Sequence, residues 1–223
     1  MNGFGMGALL ARERLRGVTP GLALGLGCGA VYLIGLLERR SDLAFAADTT
    51  LTGAVFGVAL PLLAYFACER VCNGERLTRS VDAIARHGVD RRVALLGLSL
   101  TFAACMALVA VLLTTAALLG VHASLADWGM SVAVALLAGF VYALWFGVAS
   151  LLGRRGGGRR WALALDLLFG AGSSFLAAPW PRAQIRNLLG GAPALELSQA
   201  GAWFALTLIG VLSLALSAAR TPE

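Results

Sequence analysis

Few side chains in this sequence could do chemistry: two histidines, His87 and His122, four cysteines, Cys28, Cys68, Cys72 and Cys105, and one acid, Asp166, clearly inside an apolar run. The histidines flank an apolar stretch long enough to cross a bilayer, so they cannot share a site. The cysteines all fall in or beside apolar runs, where the thiol behaves as a small hydrophobe. Cys68 and Cys72 are one helical turn apart, but no histidine or third cysteine is close in sequence, and no metal site is expected. Gly170-Ala-Gly-Ser-Ser174 is only superficially like an intramembrane serine protease: no glycine follows the serine, and no histidine follows residue 122. With no paired carboxylates and no His-Glu-x-x-His, no catalytic residue is expected and the chain reads as a non-enzyme. It also has no lysine, which a Walker A phosphate loop requires. Any ATP and Mg²⁺ must therefore be held by another subunit, and this chain is expected to carry no cofactor.

These residues must be positioned by membrane helices. The 223 residues are 59% hydrophobic and only 13% charged, with a mean hydropathy of +0.81, far from the soluble average of about a quarter charged. The expected fold is all-α and polytopic, a single transmembrane domain with spans at about 18–37, 51–68, 93–119, 129–152, 161–179 and 198–218. Leu9, Leu10 and Leu15 among Arg12, Glu13, Arg14 and Arg16 predict an N-terminal interfacial helix. The run that follows is too long for a signal peptide and lacks a convincing cleavage site. The net charge of +6 comes entirely from arginine. With the N-terminus inside, Arg39, Arg40, Arg182 and Arg186 fall outside and all the others inside, which predicts an N-in, C-in chain. The arginines are thereby explained by topology, and no nucleic acid is implied.

Within this frame Asp166 stands five residues past Trp161, about 7.5 Å along a helix. It reads either as an ion-pair partner of Arg159 or Arg160 or as a substrate or proton site. Pro61 predicts a kink in the second span. Gly21, Gly25, Gly27 and Gly29 permit close helix packing, within the bundle or against a second chain. The segment Gly153–Arg160 reads as an ordinary tight turn. From Trp180 to Pro193, Pro181 at a first turn and the spacing of Ile185, Leu188 and Leu189 predict a short amphipathic helix at the outer leaflet or dipping back into it.

The longest polar stretch, 69–92, carries Leu77, Val81 and Ile84 on one helical stripe, with Arg86 and His87 before the breaker Gly88. Such a helix either lies on the inner leaflet or inserts into a partner's groove.

This pattern resembles the permease subunits of ABC-2 type transporters. Leu60-Pro61-Leu62-Leu63 is similar to that family's apolar-Pro-Leu run, Gly74-Glu-Arg-Leu77 to its Gly-Thr-Leu element, and Arg86-His-Gly-Val-Asp-Arg-Arg-Val-Ala-Leu-Leu-Gly97 to its Pro-Val-Ser-Arg…Leu-Gly element. Gly88 stands where the family often has proline, and Asp90 where it often has serine. The resemblance implies a cytoplasmic coupling helix between spans 2 and 3, with Leu77, Val81, Ile84, Arg86 and His87 meeting an ABC ATPase. It also implies a second permease chain, as homodimer or heterodimer, and a place in the bacterial inner membrane. Tyr65, Tyr142, Trp145 and Asp166 become candidates for a translocation path, and Arg182, Ile185, Arg186 and Leu189 for an outer gate. A cytochrome c maturation permease is a related alternative. A membrane scaffold or small channel without an ATPase is the alternative from another class.

Overall fold

The computed structural model describes residues 2–41 and 46–220, and among these every regular element is helical. Residues 42–45, within the segment expected to join the first two spans, lie outside the described residues. In chain order the helices are α1 (Gly3–Leu15), α2 (Val18–Arg40), α3 (Ala46–Thr49), a π-helical stretch (Thr50–Ala59) and α4 (Leu60–Cys72). A 3₁₀ turn (Leu77–Val81) runs into α5 (Asp82–Ala85). Then come α6 (Arg91–Val121), α7 (Leu125–Ala149), α8 (Gly158–Phe169), α9 (Pro181–Leu188) and α10 (Gln199–Ala219). Among the described residues, five helices are long and apolar enough to cross a membrane: α2, the continuous helix Ala46–Cys72, α6, α7 and α10.

The sixth expected span is not one helix. α8 stops at Phe169 after 12 residues, about 18 Å. The chain turns through Gly170–Ser174, makes a 3₁₀ turn at Phe175–Ala177, and restarts as α9. The physical reason is local: glycine and serine are poor helix formers, and Pro179 and Pro181 bring no backbone donor. Pro181 sits in the first turn of α9, where its missing N–H costs nothing.

α6 and α7 form the centre of the bundle, and α2 lies at its edge, with only 11% of its apolar stretch buried. α1 crosses the start of α6 with Gly7 and Ala11 buried while Leu9 stays exposed, so this helix is held by backbone proximity as well as by its leucines. Gly97 permits that crossing. A Cβ there would lie 2.1 Å from the Phe4 carbonyl oxygen. Gly35 and Gly120 bring α2 and α6 together in the same way, since a Cβ on Gly120 would lie 2.5 Å from the Tyr32 oxygen. The glycines of α2 divide: Gly27 approaches Leu63 and Leu113, whereas Gly21, Gly25 and Gly29 face open space.

Helix ends follow their sequence signals. Asp90 caps α6, accepting from the Arg92 and Val93 amides at 2.7 and 3.3 Å, and Ser124 with Asp127 forms a capping box on α7. Pro61 stands where the π-helical stretch changes to α-helix. A residue without an N–H fits that change of hydrogen-bond register, so the kink expected at proline appears as a widened helix just before it.

Gly97→Ala is expected to lower stability in detergent by about 1–3 kcal/mol through overpacking of the α1–α6 crossing. Gly21→Ala, with nothing within 4 Å of its Cβ, is expected to be neutral or slightly stabilising. Thermal unfolding of the two variants beside wild type checks the difference.

Candidate functional site

The segment after α4 folds back onto one end of the bundle as a ledge. Asn73 (φ 50) and Gly74 (φ 72) adopt the left-handed conformation that ends α4 and turns the chain. The stripe predicted from sequence is real but points inward. Leu77 and Val81 are 1% and 0% exposed, Leu77 lies against Gly147 of α7, and Ile84 packs on the same core while half-buried. The expectation that these three form a free contact for a partner is corrected: a short apolar stripe beside a large apolar bundle is covered by its own chain first. The ledge's exposed surface is Arg79, Ala83, Arg86 and His87. His122 caps the far end of α6, 31 residues or about 46 Å away.

Hydrogen bonds to the rest of the chain hold the ledge down. The Leu77 amide donates to Ser150 Oγ at 3.1 Å, and the Arg76 guanidinium donates to the Gly153 carbonyl at 2.9 and 3.2 Å. Arg14 of α1 donates to the Val71 carbonyl and, at 3.4 Å, to that of Ser80. Its partial burial pulls its pKa below the ordinary arginine value. Arg91 pairs with Asp82.

The strongest tie is Arg159, which is 1% exposed. It donates at 2.9 Å to Glu69 Oε2 and at 3.0 Å to the Glu75 carbonyl, while Tyr65 Oη donates at 3.2 Å to Glu69 Oε1. Cys68 and Cys72 lie beside this cluster with their sulfurs 3.8 Å apart, and no three metal-ligating side chains cluster among the described residues.

A second polar cluster forms where α8 breaks. Asp166 is fully buried and pairs with neither Arg159 nor Arg160. Its Oδ2 accepts from Tyr142 Oη at 2.8 Å and its Oδ1 from the Arg182 backbone N–H at 3.3 Å, at the first turn of α9. Asp166 thus occupies the anion position of a helix N-terminus. The Arg182 side chain donates to the Leu167 carbonyl at 3.1 Å and lies across Gly57 of the π-helical stretch, where a Cβ would come within 3.0 Å of the guanidinium.

The rest of α9 follows the same logic. Gln184 donates to the Ala178 carbonyl at 2.7 Å, Asn187 to that of Leu197 at 2.8 Å, and Arg186 to those of Ala171, Gly172 and Ala192. Ile185 and Leu189 are buried. The polar face of α9 therefore serves carbonyls of the break and of the segment that follows α9. α9 is packed between the π-helical stretch, α7, α8 and α10.

Of the residues expected along a path, Tyr142 and Asp166 are buried, whereas Tyr65 and Trp145 are half-buried. Tyr142 is fully buried, and Tyr65, Phe146 and Tyr142 form an aromatic ladder with ring centres 6.2 and 6.1 Å apart. This ladder joins the two polar clusters, from Glu69 at one end to Asp166 at the other. Trp145 packs edge-on against Trp180 at 5.8 Å, and its indole N–H has no partner among the described residues. Sequence reading missed Glu69, Ser150 and Arg159 as a unit, because Glu69 and Arg159 are 90 residues apart and each looks like ordinary loop charge.

Comparison with protein-family models, with curated proteins and with solved structures returns no match.

Glu69→Gln weakens the tie to a buried guanidinium and is expected to destabilise the protein by about 1–3 kcal/mol. Glu75→Gln removes only the exposed pair with Arg79 and should change stability by less than about 0.5 kcal/mol. Chemical unfolding of both variants in the same detergent measures the contrast.

Proposed function

We propose that this chain is the membrane-spanning permease subunit of a bacterial ABC exporter, seated in the inner membrane with both termini in the cytoplasm. The observation that carries this reading is that one helix, α8, ties both polar clusters together. Arg159 grips the ledge and Asp166 grips α9, and they stand seven residues apart on α8, about 10 Å or two turns. A push on the ledge is transmitted through Arg159 to α8 and from Asp166 to α9 and the π-helical stretch beside it. Two discrete packings of such a joint are what a driven gate needs.

Topology supports the same reading. The ledge, the Gly153–Arg160 turn and Arg220 lie at one end of the bundle. Arg182 is held by the Leu167 carbonyl beside Gly57, which leaves Arg39, Arg40 and Arg186 as the arginines available to the opposite end. The charge asymmetry expected of cytoplasmic loops is therefore sharper than a loop count gives. An ATPase, which would bind the ATP and Mg²⁺, would meet Arg79, Ala83, Arg86 and His87. A second copy or a homologous permease chain would complete the transporter.

One observation favours the reading without an ATPase, as a scaffold or small channel: the ledge offers a partner a charged ridge rather than an apolar knob.

Co-purification separates the two. Arg79→Glu with Arg86→Glu is expected to abolish association with a soluble P-loop ATPase while leaving thermal stability unchanged, since both side chains are exposed. Retained association, or absence of any ATPase partner for the wild-type chain, counts against the permease reading.

A further inference from the structure

Between α7, α8 and α10, at the arginine-rich end of the bundle, lies a groove of about 560 Å³, within the range of small-ligand sites. Its walls are apolar and aromatic: Trp145, Trp161, Leu165, Trp180 and Leu216. Two arginines, Arg154 and Arg220, complete the lining; both are exposed, and neither guanidinium has a hydrogen bond or ion pair among the described residues. Trp161 is 71% exposed at the start of α8, and the Trp145 indole N–H is buried without an acceptor.

Each feature points to the same ligand chemistry. An apolar slot on a membrane-embedded bundle takes an acyl chain. Two unpaired guanidinium forks at one end of it take phosphate oxygens, bidentately if the head reaches them. Tryptophan is the residue of the boundary between hydrocarbon and water, which is where a lipid's glycerol backbone sits. Basic pockets between transmembrane helices are built this way for anionic headgroups. We propose that this groove binds one anionic phospholipid, with its acyl chain along Leu165, Trp180 and Leu216 and its phosphate between Arg154 and Arg220. The site is independent of whether an ATPase docks on the ledge. Because α8 forms one wall, an occupied groove also braces the helix that carries Arg159 and Asp166.

Tryptophan quenching tests the proposal, since three of the five tryptophans line the groove. The full chain, with Trp128→Phe and Trp203→Phe to remove the others, is reconstituted in phosphatidylcholine vesicles containing dibrominated phosphatidylglycerol or dibrominated phosphatidylcholine. The expected result is preferential quenching by the brominated phosphatidylglycerol, with a relative binding constant roughly five-fold per arginine above one. Arg154→Gln with Arg220→Gln should return that ratio to one. The control pair Arg155→Gln with Arg160→Gln, which removes the same charge from exposed positions outside the groove, should retain it. Equal quenching by the two lipids in the wild type, or equal loss of preference in both pairs, overturns the site. Protection from both lipids together with a dimeric mass overturns it in favour of a second copy of the chain as occupant.

Discussion

Between Gly170 and Trp180 the helical ladder is interrupted on the flank of an otherwise apolar bundle, and the backbone carbonyls released there need donors. In hydrocarbon an unsatisfied carbonyl costs several kcal/mol, so a break of this kind survives only where other groups cover it. Here α9 supplies the donors. Arg182, Gln184, Arg186 and Asn187 each give hydrogen bonds to carbonyls of the break or of the segment after α9, and Asp166 holds the first turn of α9 in place. The packing of α8, α9 and the π-helical stretch depends on that set of bonds. Gly57 follows from it too, because the Arg182 guanidinium takes the space a side chain would need.

The ledge obeys the same constraint from the other direction. Its backbone is polar and its stripe apolar, so it can lie against the bundle only if its amides and carbonyls are met there. Ser150 meets the Leu77 amide, Arg159 meets the Glu75 carbonyl and Arg14 meets the Ser80 carbonyl. Arg159 is buried at the crossing of these contacts, and Glu69 balances its charge. A single change at this crossing frees several groups at once.

Glycine has two different uses in this chain. At Gly97 and Gly120 it lets backbones touch, and any side chain would collide with a carbonyl. At Gly21, Gly25 and Gly29 nothing is near, and α2 keeps most of its surface uncovered. The residue type is the same in the two sets, and the neighbours tell them apart.

By itself the sequence determined the all-α, multi-pass character of the chain and the approximate limits of the five long helices, because hydropathy is summed over neighbours along the chain. Capping signals such as Asp90 and Ser124 act over three residues, and they too were legible. What only the tertiary structure decided was where long-range hydrogen bonds go. The run 161–179 is apolar enough to cross as one helix, yet it breaks, since donors from α9 make the break tolerable. Leu77 and Val81 form the stripe read from the sequence, yet they face their own bundle. Asp166 finds Tyr142 and Arg182 rather than the arginines nearest to it in the chain. Hydrophobic pattern is a local property, whereas satisfaction of buried polar groups joins residues as far apart as Glu69 and Arg159, and no spacing rule carries that information.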